Sequence, residues 1–263
     1  MTETVKTAAP KILEAIQASK SVLLHCHPLP DPDSVCSALA MKFALEGLGK
    51  KAVVIKGDSS IPAAFSHFPG AKDIVLKSFS EVDLKDFDLF ISLDSGSPGM
   101  VSRLETPVFP LLIPTIVIDH HDTNDMYGTI NLVDVSSPAV CFTLFQLFRE
   151  WKVNMTPEIA MNLFIGAYTD SGGFKYPPTD YRVLEAASEL AKIAPDYTHA
   201  LFIMENSQTK EAIYFQALAL SSVKTFLNDT IAIAAVSNKE LKDKNIPEDY
   251  IRGISISNML KSV

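Results

Sequence analysis

The amino-acid sequence predicts an α/β fold, an open parallel sheet built from βαβ units, followed by a helical connector and part of a second α/β domain. Short apolar runs rich in β-branched residues alternate with longer segments of helical periodicity, which is the pattern of βαβ units. Polar residues follow several of these runs, and the carboxyl ends of the strands form the ligand-binding edge of an open parallel sheet. The chain of 263 residues, 47% hydrophobic and 21% charged, can build one large core or a main domain with a smaller one.

The first βαβ unit of the predicted sheet lies within the first 55 residues. Between its two strands, prolines at positions 28, 30 and 32 restrict the backbone and hold the segment from His27 to Asp33 extended. The helix that follows is expected to begin with Asp33 or Ser34 as its N-cap. The predicted elements are a helix over 10–19, a strand over 21–25, a helix from 34 towards 47 and a strand over 52–55.

Three further strands and two further helices complete the predicted main domain. Two of these strands are apolar runs that are followed directly by an aspartate, Asp94 or Asp119. The second helix begins with Thr156 as its N-cap and Pro157 at the first helical position, where a proline is well tolerated. The predicted elements are strands over 88–93, 115–118 and 129–133 and helices over 138–151 and 157–168.

A change in character near residue 195 divides the sequence into three predicted regions. Residues 1–195 form the main domain, residues 196–225 a helical connector and residues 226–263 a partial second domain. An incomplete second domain would expose apolar strand surface, which favours self-association, for example as a homodimer. The predicted elements are helices over 196–204, 207–223 and 246–260 and a strand over 230–236.

Composition and charge argue against several classes of protein. No apolar run approaches the ~20 residues of a transmembrane helix, and charges interrupt the first 16 residues, so a cytoplasmic protein without membrane association is expected. The net charge of -8 argues against a broad basic footprint for long duplex DNA. Cys26, Cys36 and Cys141 match no zinc or redox spacing and are expected to be buried, reduced thiols.

Acidic and imidazole side chains occur at four separate strand or helix ends of the predicted main domain. Asp31 and Asp33 lie two residues apart in an extended segment, and their mutual repulsion is costly unless a cation lies between them. One such group alone could equally be a solvated turn, but four in one domain favour a site for a divalent ion such as Mn²⁺ or Mg²⁺. The groups are His27 with Asp31 and Asp33, Asp94, Asp119 with His120 and His121, and Asp170.

The order of these motifs resembles the DHH phosphoesterase superfamily, which includes RecJ exonucleases, oligoribonuclease/phosphoadenosine-phosphate phosphatases and family II pyrophosphatases. The resemblance covers about residues 20–180 and rests on H-x-x-P-D-x-D from His27, the strand-terminal Asp94, D-H-H at 119–121 and T-D-S-G-G-F at 169–174. It implies a doubly wound parallel sheet that carries two divalent metal ions, most often Mn²⁺, with Mg²⁺ or Co²⁺ as alternatives.

The resemblance also implies which motif residues hold the ions. Asp94, between the other motifs, would bridge the two ions. The remaining implied ligands are His27 and Asp31 for one ion, and Asp33, His120 and Asp170 for the other.

Residues outside the implied ligand set are candidates for catalysis and substrate binding. By the same resemblance, Asp119 would lie just outside the metal ligands, and His121 would face the substrate phosphate and assist its transfer. Arg103 would reach a phosphate or be a solvated surface arginine. Gly172 and Gly173 would let a phosphate approach the backbone closely, or would simply end a helix.

Two enzymatic functions and one non-enzymatic function fit this resemblance. Residues 157–160 and 169–174 look like the oligoribonuclease/phosphatase branch, in which a water activated by two metals hydrolyses short RNA or the 3′-phosphate of phosphoadenosine phosphate. Residues 30–35 and 174–179 are also similar to family II pyrophosphatases and exopolyphosphatases. The G-G-G-H segment of the associated C-terminal domain is missing, through truncation or loss, so a metal- and nucleotide-binding module without turnover is the third interpretation.

Overall fold

The computed structural model describes residues 1–109, 113–206, 208–247 and 256–260. Within them lies a five-stranded sheet with the strand order β2-β1-β3-β4-β5, in which all neighbouring strands are parallel. The predicted α/β class with a parallel sheet is therefore confirmed. The strands are β1 (Ser21–His25), β2 (Lys51–Ile55), β3 (Leu89–Leu93), β4 (Thr115–Asp119) and β5 (Ile130–Val133).

The central strands β3 and β4 are buried at every position, which explains why they are almost free of charged residues. Their register pairs Leu93 with Ile118, and the backbone N–H of Asp94 donates to the carbonyl of Ile118 at 3.1 Å. Asp94 and Asp119 therefore come to the same point on the carboxyl edge of the sheet.

Five α-helices accompany this sheet. The fifth of them was not predicted, although Asp180 caps it and its buried Val183, Ala186, Ala187 and Leu190 follow helical spacing. The helices are α1 (Glu3–Ala18), α2 (Pro32–Gly47), α3 (Val140–Glu150), α4 (Pro157–Asp170) and α5 (Tyr181–Ile193).

The two faces of the sheet are covered differently. Along β1, Val22 and Leu24 belong to a large core shared with α1 to α5, whereas Leu23, on the opposite face, belongs to a smaller core. The smaller core is closed by short 3-10 turns and coil that include Phe79 and Val101. The helices therefore cover mainly one face of the sheet.

Two predicted helix starts are wrong. The first helix begins at Glu3 and not at residue 10, because Thr2 caps it and its buried stripe starts at Val5, ahead of Pro10, and continues to Ile16. The second helix is capped by Asp31 and not by Asp33 or Ser34, since Asp31 Oδ1 accepts from the backbone N–H of Ser34 at 2.9 Å. Pro32 then occupies the first turn, where its missing N–H costs no hydrogen bond.

Contacts along the chain divide it into two compact units, Met1–Met204 and Glu205–Val263. The strand predicted over 230–236 is shorter than expected, and its antiparallel partner was not predicted. The helix predicted over 246–260 lies largely outside the described residues, and the predicted boundaries at 195 and 225 stay predictions. The remaining elements are α6 (Tyr197–Asn206), α7 (Lys210–Ser221), β6 (Lys224–Phe226), β7 (Ile231–Ile233), α8 (Asn238–Asp243) and α9 (Ile256–Leu260).

Among the described residues, no helix combines the length and the apolar character needed to cross a membrane. The three cysteines are free and buried, as the sequence predicts.

Candidate metal centre

The candidate centre lies at the carboxyl edge of the sheet, around Asp94. This residue follows β3 and has a φ of 52°, a left-handed conformation that is uncommon for residues with a side chain but tolerated by aspartate. Its carboxylate is 3% exposed and lies between two imidazoles. Oδ2 is 3.5 Å from His27 Nε2, and Oδ1 is 3.6 Å from His120 Nε2. Asp94 thus contacts both of the histidines expected to hold metal.

The first group consists of His27, Asp31 and Asp94, whose ligand atoms all lie within 4.8 Å of one another. His27 Nε2 is 3.6 Å from Asp31 Oδ2. The side chain of Asp31 is 50% exposed, whereas His27 and Asp94 are buried. Two of the three residues come from the proline-rich loop between β1 and α2. This group is therefore assembled mainly from one short segment of the chain.

The second group consists of Asp33, His120 and Asp170, whose ligand atoms also lie within 4.8 Å of one another. His120 Nε2 is 3.3 Å from Asp170 Oδ2. The three residues come from the first turn of α2, the end of β4 and the last turn of α4. The second group therefore exists only when three distant segments have packed together.

Asp33 is fixed by the start of α3. Its Oδ2 accepts from the backbone N–H of Val140 at 2.7 Å, and its Oδ1 accepts from the backbone N–H of Cys141 at 3.0 Å. These N–H groups are among those that a helix leaves without an internal acceptor, and they favour an anion. The carboxylate of Asp33 is consequently held with 1% exposure.

Gly166 in α4 is a site residue that sequence reasoning missed. A Cβ atom at this position would lie 2.2 Å from Cys141 Sγ and 2.7 Å from Asp33 Oδ1. Only glycine lets α4 approach the start of α3 and Asp33 this closely. A glycine inside an otherwise good helical pattern was the available signal, because it usually has a packing reason.

The ring orientation of both central histidines is set by backbone carbonyls. His27 Nδ1 lies 3.0 Å from the carbonyl of Pro28, and His120 Nδ1 lies 3.1 Å from the carbonyl of Ser137. A carbonyl only accepts, so each Nδ1 carries a proton and donates it. In the neutral imidazole, the lone pair is then on Nε2, the atom that faces the carboxylates.

Burial and mutual repulsion control the ionisation of the carboxylates. Burial, reinforced by the charges of Asp94 and Asp170, raises the pKa of Asp33 well above its usual range. Burial likewise raises the pKa of Asp170 to about 6. Asp94 differs, because hydrogen bonds from His120 and His27 outweigh the effect of burial and lower its pKa.

The carboxylates raise the pKa values of the two histidines, against the effect of burial. Burial alone would lower their pKa values, but hydrogen bonds with Asp31 and Asp94 raise the pKa of His27 to about 10. The hydrogen bond with Asp94, the largest effect after burial, raises the pKa of His120 to about 10. The protein on its own therefore balances these carboxylates with protons on imidazole.

The donor set fits divalent cations. It offers carboxylate oxygens and imidazole nitrogens without thiolate, which suits Mn²⁺ or Mg²⁺ better than a soft metal. In the ion pairs of the described residues, the carboxylates of Asp31, Asp94 and Asp170 face histidines and neither lysine nor arginine. A cation would relieve the repulsion among them, and Asp94 is placed to contact one cation in each group.

Asp119 and His121 form a pair beside the two groups. Together with Asp94 and His120, they form a third cluster of possible ligand atoms within 4.8 Å. Both oxygens of Asp119 are already engaged, because Oδ1 is 2.8 Å from His121 Nδ1 and Oδ2 accepts from Asn124 Nδ2 at 2.6 Å. Asp119 therefore fits an acceptor that orients His121 better than it fits a metal ligand.

The side chain of His121 points towards solvent, whereas that of His120 points into the second group. The His121 side chain is 49% exposed, and its Nδ1 is tied to Asp119, which leaves Nε2 without a hydrogen bond to any of the described residues. The hydrogen bond to Asp119 raises the pKa of His121. The outward imidazole can thus present a proton on Nε2 to a bound molecule.

The structure does not join Arg103 to the two groups through any hydrogen bond or ion pair of the described residues. Its backbone N–H donates to Asp58 Oδ2 at 2.6 Å, and a guanidinium nitrogen lies 3.6 Å from the sulfur of Met100. The role of Arg103 in phosphate binding stays a prediction.

Gly172 and Gly173 both have positive φ values, 62° and 71°. A Cβ atom at Gly172 would lie 2.2 Å from the ring of Tyr176, so this glycine is needed for the packing of that ring. A Cβ atom at Gly173 would meet only ordinary contacts at 3.6 Å. Close approach of a phosphate at these two glycines stays a prediction.

The family model described as the DHH family, N-terminal domain, matches residues 21–167. The chain belongs to the DHH family. The matched residues include every member of the two groups except Asp170, which lies just beyond them. The DHH triplet itself is Asp119-His120-His121.

Several relatives in the comparison are named as bifunctional oligoribonuclease and PAP phosphatase NrnA. The one from Thermus thermophilus is 29% identical over 68% of this chain and 52% of its own length. The one from Mycoplasma pneumoniae is 32% identical over 81% of this chain and 70% of its own length. The chain thus spans about half the length of the Thermus relative.

Other similar proteins have phosphate-related names. A relative from Bacillus pumilus, 26% identical over 65% of this chain and 55% of its own length, is named a probable manganese-dependent inorganic pyrophosphatase. The crystal structure of an exopolyphosphatase-related protein from Bacteroides fragilis superposes with a TM-score of 0.89, covering 100% of this chain and 78% of the other at 20% identity. This likeness concerns the fold alone.

Proposed function

We propose that this protein is a metal-dependent phosphoesterase that hydrolyses short oligoribonucleotides, the 3′-phosphate of phosphoadenosine phosphate, or both. The observation that carries the proposal is the shared contact of Asp94 with the first and the second group. One carboxylate between two ligand sets is the arrangement expected for a pair of ions acting on one phosphate.

The proposed ligands are His27, Asp31 and Asp94 for one divalent ion and Asp33, Asp94, His120 and Asp170 for the other, with Mn²⁺ as the expected metal. When bound, such ions polarise phosphoryl oxygens and make hydroxide available from water near neutral pH. The carbonyls of Pro28 and Ser137 fix the two histidine rings so that their Nε2 atoms face the carboxylates and would be available to bind the ions.

His121 is the proposed proton donor. With Nδ1 tied to Asp119, Nε2 would give its proton to the leaving oxygen as the bond from phosphorus to that oxygen breaks and the bond from phosphorus to the attacking water oxygen forms. The raised pKa of His121 favours the protonated form before transfer. Asp119 would stabilise the imidazolium and hold its orientation.

A small substrate agrees with the charge of the chain. The net charge of -8 provides no broad basic surface for a long nucleic acid, so positive charge for the substrate would come from the metal centre itself. The names of the Thermus and Mycoplasma relatives support the choice of oligoribonucleotide and PAP.

The test is hydrolysis by the purified chain with Mn²⁺, using a diribonucleotide, PAP and pyrophosphate in parallel and a chelator-treated sample as the blank. We expect mononucleotide from the first substrate, or phosphate from the second, only when Mn²⁺ is present. No turnover of any substrate by a chain that still binds Mn²⁺ would contradict the enzymatic proposal and support a binding module.

A manganese-dependent pyrophosphatase is the second candidate function. The name of the Bacillus pumilus relative favours it, and the same two groups would serve it. Hydrolysis of pyrophosphate alone in the parallel assay would establish it in place of the first.

A further inference from the structure

We propose that Asn124 is a positioning residue that orients His121 through Asp119 and ties this pair to the turn that carries Asp94. The inference rests on the proposed function, since that function gives His121 its role as proton donor. Asn124 itself is not proposed to touch the substrate.

The amide of Asn124 is held in one orientation. Its Oδ1 accepts from the backbone N–H of Met126 at 2.7 Å, so Nδ2 must face the other way. There Nδ2 donates to Asp119 Oδ2 at 2.6 Å and to the carbonyl of Ser95 at 3.4 Å. One side chain thereby connects the loop after β4, the DHH triplet and the turn after β3.

The contact with Asp119 determines where His121 points. Asp119 is fully buried, and each of its oxygens has one side-chain donor, Asn124 on Oδ2 and His121 on Oδ1. Without Asn124, Oδ2 would be a buried acceptor lacking that donor, and the carboxylate would be free to rotate away from His121. The bond to Asp119 is the shortest polar contact of this half-exposed imidazole, since its Nδ1 lies 2.8 Å from Asp119 and 3.8 Å from Asp94 Oδ1, so its loss would release the direction of the ring.

The contact with Ser95 connects Asn124 to the turn that carries Asp94. Ser95 directly follows Asp94, and its carbonyl also accepts from the hydroxyl of Tyr127 at 3.0 Å. Tyr127 Oη is 2.6 Å from Ser92 Oγ, inside the sheet. The backbone after Asp94 is thus held from two sides, and Asn124 supplies the side that faces Asp119.

Asn131, in the neighbouring strand β5, provides a matched control. Its Oδ1 accepts from the backbone N–H of Gly128 at 2.9 Å, and its Nδ2 donates to the carbonyl of Gly128 at 2.8 Å. It therefore fixes a turn with both ends of its amide, whereas Asn124 uses only Oδ1 for its own turn, and the bonds of Asn131 do not involve Asp119 or Ser95. Asn131→Ala reports what the loss of a turn contact does by itself.

The first experiment needs no activity. Nuclear magnetic resonance of the ¹⁵N-labelled chain would follow the proton on His121 Nδ1, with Asp119→Asn as the reference for a weakened bond. We expect this signal to be lost or broadened in Asn124→Ala and retained in Asn131→Ala. An unchanged signal in Asn124→Ala would overturn the inference, whether or not the chain proves to be an enzyme.

The second experiment separates positioning from general damage. A diribonucleotide needs a proton on its leaving oxygen, whereas bis(p-nitrophenyl) phosphate releases nitrophenolate without one. We expect Asn124→Ala to lower kcat about 10²-fold for the diribonucleotide, with KM and Mn²⁺ content unchanged, and much less for the nitrophenyl ester. An equal loss on both substrates would overturn the inference, whereas inactivity of the unaltered chain on the diribonucleotide, the nitrophenyl ester and PAP would instead contradict the proposed function.

Discussion

The two groups of the candidate centre share Asp94 but are built in opposite ways. The first takes His27 and Asp31 from one loop, and Asp31 is half exposed. The second takes Asp33, His120 and Asp170 from three distant segments. We infer that the first group depends mainly on its own side chains, whereas the second depends on the packing of α3 and α4.

Asp94 belongs to both groups, so its removal should disable both of them. We expect Asp94→Ala to lose bound Mn²⁺ at both positions and to lower kcat/KM by about 10³-fold or more, because each bound ion contributes several kcal/mol. Asp94→Asn is the companion variant, since asparagine also tolerates the left-handed backbone at this turn. Metal analysis and steady-state kinetics measure both effects.

Asp86→Ala is the control for this substitution, because Asp86 is an exposed carboxylate ahead of the same strand. It should bind and hydrolyse as the unaltered chain does. Normal metal content in Asp94→Ala would refute the shared ligand.

The pH dependence of Mn²⁺ affinity should distinguish the two groups. The raised pKa values of His27 and His120, about 10 for each, mean that both imidazoles are protonated at pH 7 before metal binds. Each ion must displace such a proton, so affinity should rise with pH by about tenfold per unit for each proton released. Asp170, with a pKa of about 6, adds a further proton to the second group below that pH.

Titration calorimetry from pH 5 to 8 in buffers of different ionisation enthalpy counts the released protons. The affinity of the second group should depend more steeply on pH below pH 6 in the unaltered chain. In Asp170→Asn this additional pH dependence of Mn²⁺ affinity should disappear. A flat affinity over this range would contradict the proposed ligation by the two histidines.

Gly166→Ala tests the dependence of the second group on packing. The added methyl would overlap Cys141 Sγ and Asp33 Oδ1, and overpacking of this kind costs about 1–3 kcal/mol of the free energy of unfolding. We expect loss of one bound Mn²⁺ with the other retained. Urea unfolding and metal analysis provide the two measurements.

Gly47→Ala is the control for this substitution, because Gly47 is also a helical glycine and nothing lies within 4 Å of a Cβ atom there. It should leave stability and metal content unchanged or slightly raise stability. Equal metal binding by Gly166→Ala and the unaltered chain would show that the second group does not need this close approach.

Of the ligand and packing substitutions, those of Asp31 should change the free energy of unfolding least. Its Oδ1 caps α2 while its Oδ2 faces His27, so one carboxylate serves the helix and the first group. Asp31→Ala should lose one ion and about 1 kcal/mol of unfolding free energy, whereas Asp31→Ser should lose the ion but keep the cap. Equal stability of the two variants in chemical denaturation would argue against the cap.

The sequence was sufficient for the five strands of the parallel sheet and for the residues at their ends. A fully buried strand such as Thr115–Asp119 must be apolar along its length, and a polar triplet directly after it marks the functional edge. The start of α1 was harder to predict from the sequence, because Pro10 resembles a helix boundary although the buried stripe continues past it. The cap of α2 was ambiguous because Asp31, Asp33 and Ser34 are all good capping residues.

The parts that sequence reasoning missed depend on contacts between distant segments. Gly166 matters because α4 approaches α3, and Asn124 matters because its amide meets Asp119 and Ser95. The donors to Asp33 are backbone N–H groups of α3, which no side-chain pattern reveals. The grouping of the ligands followed from the family resemblance, and the structure places the same residues together.

The anchoring of Asp33 bears on how the protein acquires its metal. Because the backbone of α3 holds this carboxylate, and carbonyls hold both histidine rings, the cavity keeps its shape through protein contacts alone. We therefore expect the chain to fold first and to be metallated afterwards. In that order of events, the ion that occupies the centre is selected by the supply of free metal around an already folded protein.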